Sequence, residues 1–267
     1  MRVVALTELR GEVDTAAPEL ATMLGISAYD VKVRLAGPLP RILTQTPDEE
    51  VARRLHRQIT GAGHGVLVYD PAAVVPTSRM TRFHRFTLDT GGVWANDQAG
   101  ERLEWADVAV VVVATLRSNL TRTTDEVEYQ MGTEHTPSRV TRKLTKTEQA
   151  SSHAAFFFPR VPAKRPWLLD ETTAQFVSLG RQMQPTRHAN FFATVEMIRR
   201  LVPGAIVDDR YVNGSLVSQG LFNVRGRDSV PPVVGAVGVS AVASGQIDLT
   251  VHALATWLMR DRTGPYR

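Results

Sequence analysis

Residues 46–69 read Thr46-Pro47-Asp48-Glu49-Glu50-Val51-Ala52-Arg53-Arg54-Leu55-His56-Arg57-Gln58-Ile59-Thr60-Gly61-Ala62-Gly63-His64-Gly65-Val66-Leu67-Val68-Tyr69. Within this stretch the pattern switches from helix to strand. Val51, Leu55 and Ile59 recur every four residues and form one apolar stripe, with Arg53, Arg54 and Arg57 opposite. Thr46 offers an N-cap and Pro47 suits the first helical position. The acids behind them sit at the positive end of the helix dipole. Gly61 and Gly63 stop the helix, and Gly65–Tyr69 is an apolar run of strand length.

The chain before this stretch is punctuated in the same way. Arg2 to Leu9 alternates apolar and polar residues and reads as a strand. Asp14 or Thr15 caps a helix with Pro18 and Glu19 in its first turn, running to Leu24 and stopping at Gly25. Ser27 caps a second helix, Ala28 to Ala36, which Gly37-Pro38 ends. Arg41 to Leu43 is a short strand. The order is strand, helix, helix, strand, helix, strand, and predicts a small α+β domain over residues 1–76 whose first seventy residues fold independently.

Beyond it the pattern becomes β-rich. Strands are expected at Phe83–Leu88, Leu103–Trp105, Asp107–Leu116, Glu126–Met131, Val140–Thr147, His153–Phe158 and Pro166–Leu169. Gly91-Gly92 and Gln98-Ala99-Gly100 supply turns. Helices Thr172–Met183 and Ala189–Leu201 follow, the second with Phe192, Val195 and Ile198 at helical spacing. Residues 79–212 are therefore expected to form an antiparallel β-barrel or sandwich capped by C-terminal helices. Residues 213–245, rich in Gly, Ser and Val, read as a flexible linker. Residues 246–260 read as a last helix, dispensable for folding, with Ile247, Val251, Leu254 and Leu258 turned to a domain or a partner.

Composition sets wider bounds. The 267 residues are 43% hydrophobic and 22% charged, which permits a packed core. There is no cysteine, so disulfides, thiolate metal sites and a Cys nucleophile are excluded. Met1 to Leu9 lacks the basic and long apolar regions of a signal peptide. The uncharged run Val230 to Ile247 carries Pro231-Pro232 and several glycines and serines, too few large apolar residues for a membrane helix. The expected localisation is cytoplasmic, with no membrane span. The net charge of +4 is a mild basic bias.

Candidate chemistry is sparse. The histidines are His56, His64, His84, His135, His153, His188 and His252, and none lies at metal-ligand spacing from another. A metal site assembled from distant histidines stays open, but no metal, cofactor or catalytic residue is assigned. His64, between two glycines, reads as a turn residue. Asp208-Asp209 can hold a cation, or form a solvated loop or ion pair. Gly235-Ala236-Val237-Gly238 lacks the Lys-Ser or Lys-Thr of a phosphate loop. Phe156-Phe157-Phe158 and Trp167 are core candidates, with Phe157 facing opposite to its neighbours. Arg139, Arg142, Lys143 and Lys146 are the candidate contacts for an anion or nucleic acid. Arg142 and Lys146 share a strand face with Leu144, and Lys143 takes the other. No aromatic residue is interleaved to stack on bases. The same charges equally suit an edge strand protected against aggregation.

The stretch Leu24-Gly25-Ile26-Ser27-Ala28-Tyr29-Asp30-Val31-Lys32, then Gly37, Ala52, Leu55, Ile59, Ala62 and Gly63 ahead of a strand, resembles the C-terminal domain of the bacterial ribosomal stalk protein. That family recruits translation factors through basic residues on its first two helices. Lys32 matches one of them, while Pro18 and Ala21 stand where others are expected. The compact fold is also similar to that of a bacterial protease adaptor family that holds peptides. The middle region, through Leu103-Glu104-Trp105 and Asp107-Val108, resembles a bacterial pleckstrin-homology-type barrel, and such barrels bind proteins or lipid headgroups more often than they catalyse.

These readings converge on a non-catalytic protein-interaction or adaptor module with a protein or peptide partner. A nucleic-acid-binding protein with a basic surface is the alternative, and an enzyme of unfamiliar type the third. Ala28, Val31 and Leu35 recur at helical spacing and should face the core. That turns Tyr29, Lys32 and Val33 outward as the candidate partner-binding patch.

Overall fold

The small strand at the start of the chain is buried on both faces, and the reason lies at the far end of the sequence. A computed structural model describes residues 1–95, 100–131, 137–161, 163–216 and 242–263, with the backbone alone at 117–150, 214–216, 242–246 and 261–263 where those fall within the described ranges. The first unit runs β1 (Arg2–Glu8), α1 (Val13–Leu24), α2 (Ala28–Leu35), β2 (Arg41–Thr46), α3 (Glu49–Gly61) and β3 (Gly65–Tyr69), the expected order. Its sheet is antiparallel with strand order β2-β1-β3. On one face, Val4 and Leu6 pack with Ala17 and Leu20 of α1, Val31 and Leu35 of α2, and Leu55 and Ile59 of α3.

The helix ends differ from expectation in detail. The α3 cap is Asp48, whose carboxylate accepts from the N–H groups of Glu50 and Val51, while Thr46 accepts from Asp48. Pro47 therefore precedes the helix. The α1 helix starts at Val13, so Pro18 lies inside it. Ser27 caps α2 by accepting from the Asp30 N–H at 3.1 Å, and Gly25, at φ 67°, closes α1 in the left-handed conformation that favours glycine.

The second unit contains β4 (Thr81–Arg82), β5 (Phe86–Leu88), β6 (Gly92–Ala95), β7 (Arg102–Glu104), β8 (Val108–Met131), β9 (Pro137–Pro159) and β10 (Trp167–Asp170). Next come α4 (Arg187–Leu201), β11 (Ile206–Asp209), α5 (Arg210–Asn213) and β12 (Gly214–Leu216). A six-stranded sheet has the order β11-β8-β9-β10-β4 with β12 also on β8, and a separate meander has the order β5-β6-β7. No sheet among the described residues closes into a barrel. The fold is mixed α+β, with two antiparallel three-stranded sheets and a six-stranded sheet in which β8, β9 and β10 are antiparallel while β4, β11 and β12 join parallel to their neighbours. Four expected strands are two: Asp107–Leu116 and Glu126–Met131 merge into β8, and Val140–Thr147 and His153–Phe158 into β9. The expected helix Thr172–Met183 is instead a 3₁₀ segment at Phe176–Gln182, interrupted by Gly180 at φ 52°.

The apolar run at the start of β8 faces two cores. Val108, Val111 and Val113 join Phe83, Phe157, Trp167 and α4 on one face, while Val110, Val112 and Ala114 join Phe156 and Phe158 on the other. A bulge between Val108 and Val110 puts Val108 and Val111 on the same side. Phe157 does point opposite to its neighbours, its ring 5.0 Å from that of Phe83 in edge contact.

The last helix, α6 (Val242–Thr263), covers the remaining face of the small sheet and of the six-stranded sheet. Ile247, Val251, Leu254 and Leu258 pack on the six-stranded sheet. Ala253 and Leu249 pack on Val3, Ala5, Leu67 and Tyr69 of the first. The layers run α1–α3, small sheet, α6, large sheet, then α4 with the meander. Helix α6 is thus a shared core element, and the reading of it as dispensable gives way. Of the expected linker at 213–245, Asn213 ends α5, residues 214–216 form β12 and 242–245 begin α6. The rest, and with it most of the uncharged run at Val230–Ile247, lies outside the described residues. No helix among the described residues is long and apolar enough to cross a membrane.

Candidate functional site

Two features of β8 and β9 stand out, one at each end of the pair. The flanking strands stop early: β10 reaches Ala154 with Asp170, and β12 meets β8 at Leu116. From Arg117↔Ser151 to Met131↔Pro137, fifteen register pairs follow with no further strand alongside among the described residues. At about 3.4 Å per residue this two-stranded arm is about 50 Å long.

The arm contains all four basic candidates. Its register sets Arg142 opposite Glu126, Lys143 opposite Asp125, Arg139 opposite Tyr129 and Lys146 opposite Arg122. Side chains here lie outside the described part of the structure. Two of the four positions thus face acids across the ladder, an arrangement that lowers the net field available to a phosphate backbone. Sequence reading placed both the basic positions and Glu126–Met131 on strands but not their pairing with each other, which leaves no local signal.

At the base of the arm, three elements bring together His153, Glu171 and His188. His153 is on β9, opposite Thr115. Glu171 follows β10, in a turn where the Asp170 carboxylate accepts from the Thr172 N–H at 2.8 Å. Two backbone bonds lock this turn to β9: the Glu171 N–H donates to the His153 carbonyl at 2.9 Å, and the His153 N–H donates to Glu171 Oε2 at 2.8 Å. His188 lies in the first turn of α4, which Thr186 caps by accepting from the Ala189 N–H. His153 Nδ1 is 2.7 Å from Glu171 Oε2, and His188 Nδ1 is 3.4 Å from Glu171 Oε1. Phe192 packs its ring against both imidazoles, at 5.0 and 4.9 Å. Arg187 donates to the carbonyls of Glu171, Thr172 and Ala174 and so fixes the turn. No sequence spacing signals this cluster, since its members come from a strand, a turn and a helix.

The other candidates resolve as follows. Tyr29 is 74% exposed on α2, as expected. Lys32 is tied to Asp14 of α1 at 2.7 Å, and the lysine in turn holds the Asp14 carboxyl below its usual range. Val33 is half-buried rather than fully outward. Of the three patch positions, Tyr29 and Lys32 are exposed and Val33 is half-buried. Asp208 and Asp209 form ion pairs, with Arg210 at 2.7 Å and Arg199 at 3.0 Å. His64 is buried in its turn and accepts from the Arg10 N–H at 3.0 Å. The basic face of α3 contributes Arg53, His56 and Arg57 to an open groove also lined by Val68 and Arg260.

Polar contacts fasten the two units around α6. Tyr69 donates its hydroxyl to the Leu249 carbonyl, and Tyr211 donates to the Pro40 carbonyl, each at 2.8 Å. Arg210 donates to the Leu39 carbonyl and lies over the Trp257 ring. Burial raises both tyrosines above their ordinary range and pushes the Arg41 guanidinium below its own.

No known protein family, curated protein or solved structure matches the chain.

Proposed function

We propose that this protein is a non-catalytic interaction module whose arm pairs with the arm of a second copy. The observation that carries this reading is the two-stranded extension of fifteen register pairs, open along both outer edges among the described residues. An isolated two-stranded ribbon is marginal in water, and an unpaired edge is a template for another strand. Pairing with a further strand satisfies both demands.

Charge selects the partner edge. Asp125–Met131 of β8 carries Asp125, Glu126 and Glu128 and no base. Pro137–Lys146 of β9 carries Arg139, Arg142, Lys143 and Lys146 and no acid. Two β8 edges repel, as do two β9 edges, whereas β8 of one copy attracts β9 of the next. The contact is heterologous, so it builds a ring or an open array rather than a closed two-fold dimer. It is also charge-dependent, and added salt weakens it.

The experiment is sedimentation velocity across a concentration series, comparing the full chain with a variant in which a short turn replaces 117–151. The full chain should form species larger than a dimer, less so at high salt, and the shortened chain should stay monomeric. Equal behaviour of the two would overturn the reading. Salt-sensitive binding of generic duplex or single-stranded nucleic acid by the full chain, lost with the arm, would favour the basic-surface alternative.

A further inference from the structure

We infer that His153, Glu171 and His188 form a binding site for a late first-row divalent cation, with Zn²⁺ the best match. The donor set is two imidazole nitrogens and one carboxylate oxygen, and the three ligand atoms lie within 4.8 Å of one another. Tetrahedral zinc holds N and O donors at about 2.0–2.2 Å, which sets neighbouring donors roughly 3.3 Å apart. His188 Nδ1 and Glu171 Oε1 already stand at 3.4 Å. His153 Nδ1 is at hydrogen-bond distance from the other oxygen, Oε2, and needs a small swing to share the ion.

The surroundings suit a ligand set more than a surface ion pair. The His153 N–H holds the carboxylate through Oε2, and the Glu171 N–H fixes the turn on the His153 carbonyl, so Oε1 remains available to a metal. Outer bonds of this kind orient metal ligands. Phe191 and Phe192 wall the imidazoles on the α4 side. His153 and Glu171 are largely buried, their side chains 14% and 13% exposed, while His188 at 58% leaves an entry path and room for water as fourth ligand. Soft thiolate-preferring ions are disfavoured because the site has no sulfur, and Mg²⁺ because it prefers an all-oxygen octahedron. The ion would clamp β9 to α4 two residues from where the arm begins.

Calorimetric titration of the full chain with Zn²⁺ at pH 7.5 tests the site, with Mg²⁺ as comparison. The expected result is one Zn²⁺ per chain and no Mg²⁺ binding. His188→Ala should weaken Zn²⁺ binding by at least about tenfold, and His188→Cys, which restores a donor, should recover it. Because His188 is exposed, both variants should fold, and their metal-free melting curves check this. Zinc K-edge absorption should show two imidazoles and oxygen in the first shell. Failure to bind Zn²⁺, or binding that is indifferent to both His188→Ala and Glu171→Gln, would overturn the assignment and leave the cluster a hydrogen-bonded chain. The arm-deleted protein retains all three ligands, so loss of self-association and loss of metal binding are separate results.

Discussion

Replacing Leu254 by alanine should unsettle both halves of the molecule at once. Leu254 is fully buried on α6, against Val110, Val112 and Phe156 of the large sheet. Its neighbour Ala253 is fully buried against the small sheet. A buried Leu→Ala change costs about 2–5 kcal/mol, and a helix held between two sheets has little freedom to close the cavity, so a value of about 3–4 kcal/mol is expected. For a chain of this size each kcal/mol moves the melting temperature by roughly 2–4 °C, giving a fall of about 6–16 °C. The four large side chains Ile247, Val251, Leu254 and Leu258 together contribute about 6–12 kcal/mol. That is comparable to the whole net stability of an ordinary domain, about 5–15 kcal/mol. Removal of 242–267 should therefore leave an insoluble or unfolded product. Differential scanning calorimetry of Leu254→Ala should show one transition shifted down. Hydrogen exchange should show faster exchange in β1, although Leu254 does not belong to the small sheet's core. A shift under about 2 °C, or unchanged exchange in β1, would refute the shared-core argument.

Three further outcomes follow from buried or exposed groups. Asp248 is buried on α6, with Oδ2 accepting from the Thr77 N–H at 3.2 Å and Oδ1 unpartnered, and burial raises its carboxyl above the ordinary 3.8. Its stabilising protonated form dominates below that value and is lost as pH rises through the raised one, so Asp248→Asn should raise the melting temperature at pH 7 and lose this advantage below about pH 4. His252 packs against Tyr69 and Phe158, and burial pushes its imidazole below 6.5. It contributes stability above pH 6.5 that is lost as pH falls toward its folded value, so His252→Gln should flatten the melting profile on that acid side. Tyr29→Ala on the exposed face of α2 should change stability by less than about 0.5 kcal/mol in urea unfolding; a larger loss would show that Tyr29 supports the fold.

The first unit was legible because its signals are local. Ser27 caps α2, Gly25 closes α1, and the Val51-Leu55-Ile59 stripe sits within one helix. What escaped depended on distant residues. Arg2 to Leu9 reads as an alternating strand, yet Val3–Leu6 is an unbroken apolar run, and Val3 and Ala5 are fully buried under a helix more than two hundred residues later in the chain. The polar run Arg117–Asp125 interrupts the apolar pattern, so two long strands read as four short ones. Phe176 and Leu179, three apart, mimic a helical stripe but serve a 3₁₀ turn broken at Gly180. The His153, Glu171 and His188 cluster was invisible for the same reason, as were the acids set beside Arg142 and Lys143.

The central claim is that opposite edges of two arms pair, and a reciprocal charge exchange tests it most directly. One variant carries Asp125→Lys, Glu126→Lys and Glu128→Lys together with Arg139→Glu, Arg142→Glu, Lys143→Glu and Lys146→Glu. Its own β8 and β9 remain complementary, so it should self-associate as the wild type does. Against the wild type, every β8-to-β9 contact places like charge on like charge. Sedimentation of the two chains mixed, one fluorescently labelled, should give separate assemblies and no mixed species. Preferential mixing would mean that identical edges pair, and failure of both chains to associate would remove the arm as a self-association element.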